Sequence, residues 1–422
     1  MMVVRTQKVR LYPNRTMKQV LDELCDYRRY CWNQGLALWN DLYFNRQIVF
    51  PDELKAKVKL YVSLSKKKRK EIVFSDEELE LINLCPSSNA NNVRDILVEN
   101  KQDWQYQLSS RVLQQAIADL GKAWTNFFDK SQSDWGKPKF KSKKAQRQGF
   151  KTDRAKIVNG KLLLDRPKET PISKKDWQPI KIKGAKSLDG KLTVVSVYRE
   201  RGKYYASLPF KTDIEEKIKT NQKTAIDVNV GHINYTDGVI DTLPKRLDKR
   251  YKRIKHYQRL LARKRNANGK LATQSNNYVK TRTKLQREYT KVANIQHDIM
   301  QKFTTKLVTD YDKIVIENLD VKKMQMSHVA SKGLQRSMFG LFKRVLEYKC
   351  QWYGKELVRA NKFYPSTQRC SSCGYVKKGD DKITLSGNQK HGTKHNEYVC
   401  YECGFTCDRD KNAVMNLLAL IQ

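Results

Sequence analysis

Cys370, Cys373, Cys400 and Cys403 form two CxxC pairs, each followed by glycine, Gly374 and Gly404. A CxxCG turn brings two thiolates onto one ion, and two such turns supply the closed tetrahedral set that structural zinc takes. One zinc ion is therefore expected as scaffolding, with the chemistry beside it. Asp408-Arg409-Asp410 follows directly, and two more carboxylates stand where apolar residues belong: Asp227 behind Ala225 and Ile226, and Glu317 behind Ile314, Val315 and Ile316. A lone carboxylate in an apolar strand is costly unless it is paired, protonated or bound to metal. Mg2+ is a hard ion that takes oxygen ligands, and two such ions about 4 Å apart stabilise both the entering and the leaving oxygen of a phosphodiester. Asp227 and Glu317 from two strands, with Asp408 or Asp410 from the last helix, would make such a site. Blander roles exist for each: Asp227 as a strand-end turn former, Glu317 as the start of the Asn318-Leu319-Asp320 turn, and either late Asp as a helix N-cap. The residues alone do not choose between Asp408 and Asp410.

Pattern predicts the elements that must carry these groups. Thr224 to Val230 and His232 to Thr236 read as strands with an Asp237-Gly238 turn, so Asp227 lies on a core strand beside a hairpin. Two long charged helices, Lys245 to Arg265 and Tyr278 to Leu307, are linked by a polar 266–277 stretch, and the strand Lys313 to Ile316 ends in Glu317. Helices are predicted over Leu334 to Tyr353 and Lys411 to Leu420, the latter packing Ala413, Leu417, Leu418 and Ile421 on the same sheet. Earlier in the chain, a strand at Val3 to Tyr12 ends at Pro13-Asn14, and helical spacing follows from Met17 to Leu38 through Val20, Leu21, Leu24, Tyr27, Tyr30 and Trp32. It continues over Glu53 to Leu64, Asp76 to Leu84, Asn92 to Glu99 and Ser109 to Phe128, so residues from about 14 to 130 read as an all-helical module. Beyond Gly136 come short β-rich runs at Lys161 to Leu164, Ile180 to Ile182, Leu192 to Tyr198 and Tyr204 to Leu208, parted by Asn159-Gly160, Asp189-Gly190 and Arg201-Gly202 turns. They predict a small antiparallel sheet or barrel that the opening strand completes, with the helical module as an insertion.

Lysine and arginine total 84 of the 422 residues against 44 acidic ones, a formal charge of +40. Such an excess repels itself unless a polyanion neutralises it, and its spread along the whole chain points to long nucleic-acid grooves rather than one tether. Lysines and arginines of Lys245 to Arg265 and Lys280 to Arg287 are candidate phosphate contacts. The Lys66 to Lys70 run reads as a solvated or phosphate-facing helix end rather than an address. No stretch approaches the roughly 20 apolar residues that span a bilayer, and Met1 to Arg10 lacks the apolar core of a signal peptide. Cys25, Cys31, Cys85, Cys350 and Cys407 read as buried free thiols of a reducing cytosol.

Six motifs in order, Val9-Arg-Leu-Tyr-Pro13, Gly136-Lys-Pro-Lys-Phe-Lys-Ser-Lys143, Ser275-Asn-Asn-Tyr278, Ile314-Val-Ile-Glu-Asn-Leu319, Tyr364-Pro-Ser-Thr-Gln-Arg-Cys-Ser-Ser-Cys-Gly374 and Asp408-Arg-Asp-Lys-Asn-Ala413, span nearly the whole chain. The chain resembles the transposon-encoded TnpB family of RNA-guided nucleases, related to compact type V CRISPR effectors. The resemblance implies an α+β multidomain fold: a wedge-type β-barrel at 1–13 and 131–210 carrying a helical recognition domain at 14–130. A split RNase H-like RuvC domain at 211–364 and 406–422 follows, with a zinc-binding target-nucleic-acid-binding insertion at 365–405. It implies that Asp227, Glu317 and Asp410 are the catalytic Mg2+ ligands, ranking Asp410 above Asp408. It also implies the cytoplasm of a prokaryote as the location, with action at its DNA. Two departures stand out. The family often has glycine two residues after the first Asp, where this chain has Asn229. The 26 residues at 374–399 between the CxxC pairs exceed the usual gap, which predicts a longer basic finger at Lys377 to Lys394. His391 and His395 lie there and read as exposed loop residues, with four cysteines already available.

The resemblance implies an RNA-guided, Mg2+-dependent DNA endonuclease that cuts double-stranded DNA complementary to a guide RNA, beside a short flanking motif. Two alternatives remain open from residues alone: a nuclease-inactive RNA-guided DNA-binding repressor, and an unguided transposase or resolvase-type nuclease, since one fold hosts many reactions. Oligomeric state is not legible.

Overall fold

A computed structural model describes residues 2–421 apart from 66, 130, 132–135, 146, 185–189, 216, 269–272, 274, 320–332, 334–335 and 385. The chain divides into two compact units, Met2–Asp213 and Ile214–Gln422.

In the first unit the opening strand β1 (Met2–Tyr12) buries Val9 and Leu11. Asn14 then caps a 35-residue helix, α1 (Arg15–Val49), by accepting from the Met17 amide at 2.8 Å. Helices α2 (Asp52–Ser63), α3 (Asp76–Leu84), α4 (Ala90–Glu99), α5 (Asp103–Tyr106) and α6 (Ser110–Phe128) follow. Ser75 and Glu78 form a reciprocal capping box that starts α3. The strands come next: β2 (Arg147–Thr152), β3 (Lys156–Val158), β4 (Lys161–Leu163), β5 (Ile180–Lys183), β6 (Lys191–Leu192), β7 (Val195–Glu200) and β8 (Lys203–Asp213). They join β1 in an antiparallel eight-stranded sheet of order β2-β7-β8-β1-β5-β4-β3, with β6 beside β8. The first strand of the chain therefore sits in the middle of a sheet whose next strand begins only after 134 intervening residues, at Arg147. One apolar cluster runs from Val9 and Phe150 in the sheet to Leu21, Leu36, Leu113 and Leu120 in the helices.

The second unit is built on a five-stranded sheet of order β11-β10-β9-β12-β13, from β9 (Lys223–Val228), β10 (His232–Tyr235), β11 (Gly238–Asp241), β12 (Lys313–Ile316) and β13 (Glu356–Arg359). The first three strands are antiparallel neighbours, and β12 and β13 run parallel to β9. Helices α7 (Lys245–Asn268), α8 (Asn276–Asp310) and α9 (Phe339–Tyr353) precede the cysteine segment, and α10 (Arg409–Leu418) closes the chain. Residues 269–272 and 274 of the polar stretch predicted at 266–277 lie outside the described residues, as does the start of the helix predicted from Leu334. Alternate residues of β9 and β12 serve opposite faces. Ile226, Ile314 and Ile316 pack with Phe303, Leu307, Phe342 and Leu346. Ala225 and Val315 pack with Val414, Leu417 and Ile421 of the chain's last turns. No described helix is long and apolar enough to cross a membrane.

Candidate active site and metal centre

Because side chains alternate along a strand, Asp227 shares the face of Ala225, and Glu317, one step past β12, shares the face of Val315. That is the face covered by α10. Ile316 pairs with Ile226 in the parallel ladder, so the next step brings Glu317 alongside Asp227, one strand spacing away. On the other side of β9, Asp227 pairs with Asn234.

The two late aspartates divide their tasks. Asp408 is the N-cap of α10, its Oδ1 accepting from the amides of Asp410 at 2.9 Å and Lys411 at 3.1 Å. Asp410 sits in the first turn and reaches the sheet, where its Oδ2 accepts from Asn234 Nδ2 at 3.0 Å and lies 3.1 Å from His232 Nε2. Arg409 Nη2 approaches Oδ1 of Asp410 at 3.3 Å.

Asp227 is 3 % exposed. Burial is the main force that pushes its carboxyl up to about 7, reinforced by the charges of Glu317 and Asp410 and opposed by a hydrogen bond from Asn229 and the charge of Arg409. Burial likewise raises Glu317, with Asp410 adding and a hydrogen bond from Ser366 opposing. The three acids thus feel one another's charge inside a low-dielectric pocket. Their donor set is all oxygen, the chemistry Mg2+ takes. Like charges repel, and the acids stand wider than the thiolates: among the described residues the four cysteines form the one group of three or more metal-ligating side chains with all ligand atoms within 4.8 Å.

That quartet is built from two matching turns. Gly374 N donates to Cys370 O at 3.0 Å and Gly404 N to Cys400 O at 3.1 Å, while Cys370 N and Cys400 N bond Tyr375 O and Phe405 O. Gly374 and Gly404 adopt φ of 83° and 70°, left-handed conformations that side chains resist. Cys370 and Cys403 sulfurs lie 3.8 Å apart, Cys373 and Cys400 sulfurs 3.6 Å. Ligands at about 2.3 Å on a tetrahedron are about 3.8 Å apart, so the set fits zinc. The turns are tethered to α10: Asn412 Nδ2 donates to Arg369 O at 2.7 Å, and Asn416 Nδ2 to Ser366 O at 2.8 Å and Arg369 O at 2.7 Å.

The basic finger expected between the cysteine pairs is instead folded in part on itself. Lys377 is 1 % exposed, with its ammonium 3.6 Å from the Tyr401 ring centroid and 4.8 Å from that of Tyr398. Aromatic faces, not solvent, take its charge. His391 stacks on Tyr401 and bonds Asp381 at 2.8 Å, outside the cysteine set. On α7, Lys245, Arg246, Lys249, Arg250 and Arg253 line a groove of about 430 Å³.

Asn229, His232, Asn234 and Ser366 complete the acidic site. Sequence reasoning flagged only Asn229, as a departure, because the others act across ladder pairings and not through local spacing. His232 and Asp410 are 178 positions apart.

Three family models match the chain: "Helix-turn-helix domain" over residues 1–47, "Probable transposase" over 207–328 and "Cas12f1-like, TNB domain" over 339–417. In this protein residues 2–47 form one strand and most of one unbroken helix. A Streptomyces pristinaespiralis protein named "Putative RNA-guided DNA endonuclease" is 30 % identical over 317 residues, covering 74 % of this chain and 72 % of that one. An Escherichia coli K12 protein of the same description is 27 % identical over 333 residues, 75 % of each chain. A TnpB-like protein of Acanthamoeba polyphaga mimivirus is 31 % identical over 175 residues, 40 % of this chain and 30 % of that one. Among solved structures, a Cas12f1 complex with sgRNA and target DNA aligns over 99 % of this chain and 98 % of its own, at 13 % identity and a TM-score of 0.46.

Proposed function

The chain belongs to the TnpB family, and on that premise we propose that it is an RNA-guided DNA endonuclease whose cutting site is Asp227, Glu317 and Asp410. The observation that carries this reading is the convergence of buried Asp227 and half-buried Glu317, from β9 and the end of β12, with a third carboxylate from the first turn of α10, on one face of one sheet. Nucleic-acid binding alone has no use for such a cluster, because acids repel phosphate unless cations intervene. Asp227, Glu317 and Asp410 would hold Mg2+, and Cys370, Cys373, Cys400 and Cys403 one structural zinc. Two bound magnesium ions would supply charge stabilisation to the entering and leaving oxygens of the phosphodiester.

The protein's own groups do the rest. Burial of Asp227 excludes bulk water from one side of the site, and the parallel pairing of β9 with β12 brings its carboxylate beside Glu317. Asp408, by capping α10, fixes the turn from which Asp410 projects. The charge of +40 suits a chain that grips an RNA–DNA heteroduplex by its phosphates, sequence being read by guide pairing and a short flanking motif by the protein. The groove on α7 gathers five cations on one helical face, of which Arg250 also pairs with Glu288 at 2.9 Å.

The test is cleavage of duplex DNA matched to the RNA that co-purifies with the protein. Mg2+-dependent cutting that disappears in Asp227→Ala is expected. Guide-dependent binding without cutting by the wild type would identify a repressor, and cutting by RNA-free protein an unguided nuclease.

A further inference from the structure

Each carboxylate of the trio has one oxygen taken by a neutral side chain. Asn229 Nδ2 donates to Asp227 Oδ2 at 2.7 Å, Asn234 Nδ2 donates to Asp410 Oδ2 at 3.0 Å, and Ser366 Oγ donates to Glu317 Oε1. An ionised carboxylate only accepts, so both asparagines present their NH2 groups to it. The two amides come from one hairpin. Asn229 follows β9 directly, and its backbone amide donates to His232 O at 3.0 Å, which closes the turn and holds its side chain over Asp227. Asn234, 7 % exposed, is the ladder partner of Asp227 and leans the other way, to α10. A single β-hairpin therefore supplies the first acid, the group that holds it, and the group that holds the third acid.

We propose that Asn229 and Asn234 are positioning residues that fix Asp227 and Asp410 for divalent cations, each amide occupying one carboxylate oxygen without contributing charge. The proposal rests on the metal-dependent reading above. Charge is the reason for an amide. A lysine or arginine in either place would hold the carboxylate more firmly but would compete with the cation for it. An apolar residue would leave a buried carboxylate free to rotate and readier to take a proton, since a hydrogen bond to the ionised form is what favours that form. The amide orients and favours ionisation while the acid keeps its full charge. On Asp227 this leaves Oδ1 clear of any side-chain hydrogen bond among the described contacts. On Asp410 the amide shares Oδ2 with His232, and Arg409 approaches Oδ1 from 3.3 Å, so Asn234 is one of three groups that orient Asp410, whereas among the described residues Asn229 acts alone on Asp227. Asn229 thus changes meaning: a side chain where the family often has glycine is a hydrogen-bond donor to the first acid, not an obstruction.

The test compares Asn→Ala with Asn→Leu at each position, the second keeping the branched shape while removing the donor. Two quantities are read on the full chain: Mn2+ binding by calorimetry, with Asp227→Ala as the blank, and the Mg2+ concentration for half-maximal cleavage by the RNA-loaded protein. Both substitutions at 229 and at 234 are expected to weaken Mn2+ binding and raise the Mg2+ requirement about 10–100-fold, the usual cost of removing a group that orients a metal ligand. Excess Mg2+ should restore much of the rate, and guide and target binding should stay at wild-type level. Leu variants that keep wild-type Mn2+ and Mg2+ affinity would overturn the proposal, as shape and not donation would be what matters; so would Ala variants that change neither quantity. Wild-type protein whose Mn2+ binding equals that of the blank defeats the metal reading itself, and the proposal with it.

Discussion

Asp227 sits in the fold at a cost that its neighbours reduce but do not remove. Its carboxyl is pushed up to about 7, against an ordinary value of 3.8. Between those values the folded chain holds a proton that the unfolded chain has lost, so this residue's contribution to stability falls as pH rises from about 4 to about 7 and stays low above that. Asp227→Asn keeps the shape and removes the ionisation. In metal-free protein at pH 7.5 it should raise the unfolding free energy by roughly 1–3 kcal/mol, a gain that shrinks towards zero as pH approaches 4. Cleavage should be lost in the same variant. Chemical denaturation at several pH values checks the first outcome and a matched-duplex assay the second; a variant less stable at neutral pH would contradict the burial argument. At this scale the sequence was half legible. An acid directly behind Ala225 and Ile226 announces itself, and so do four cysteines at CxxC spacing. Asn234 and Ser366 do not, because their roles depend on which strand lies beside which, information that no local pattern carries.

Among the elements, α10 carries the most consequence for so short a helix. Its cap is Asp408 and its proposed metal-binding acid Asp410, two residues apart and chemically identical. Asp408→Ala removes a cap that satisfies two amides and should cost about 1 kcal/mol, with cleavage reduced only several-fold as the first turn frays. Asp410→Ala removes one of three mutually repelling charges and should leave stability near wild type while cutting falls below detection. Thermal melts and cleavage rates on the pair decide it: an inactive Asp408 variant beside an active Asp410 variant would exchange the two roles. Helix α3 was readable to the residue at Asp76–Leu84, because Ser75 and Glu78 mark its start. By contrast, α1 runs eleven residues past the predicted Leu38, to Val49, since its later turns bury little beyond Trp39 and Leu42 and so lack apolar spacing. Strands β2, β3 and β13 escaped notice for a similar reason: they are short and polar on at least one face.

At the scale of the whole molecule, the proposed zinc would link two things that the sequence showed only as neighbours, the paired CxxC turns and the last helix. Removing it with a chelator, or replacing Cys403 with serine, should release about one zinc ion per chain and unfold the segment between the cysteine pairs, whose own apolar cluster is as small as Cys370, Ile383, Tyr398 and Cys400. The five-stranded sheet, with its separate core, should survive, and hydrogen exchange resolved along the chain would show protection lost at 365–405 and retained at β9 and β12. Protection lost equally in both would mean that the insertion is no separate stability unit.

Asn412 and Asn416 are wholly or almost wholly buried, and both spend their amides on the backbone at 366–371. The helix that aims Asp410 is thereby bolted to the cysteine-bearing loop, while Ser366 reaches from that loop to Glu317. Disorder in that loop would therefore reach two of the three acids at once, Glu317 through Ser366 and Asp410 through its helix.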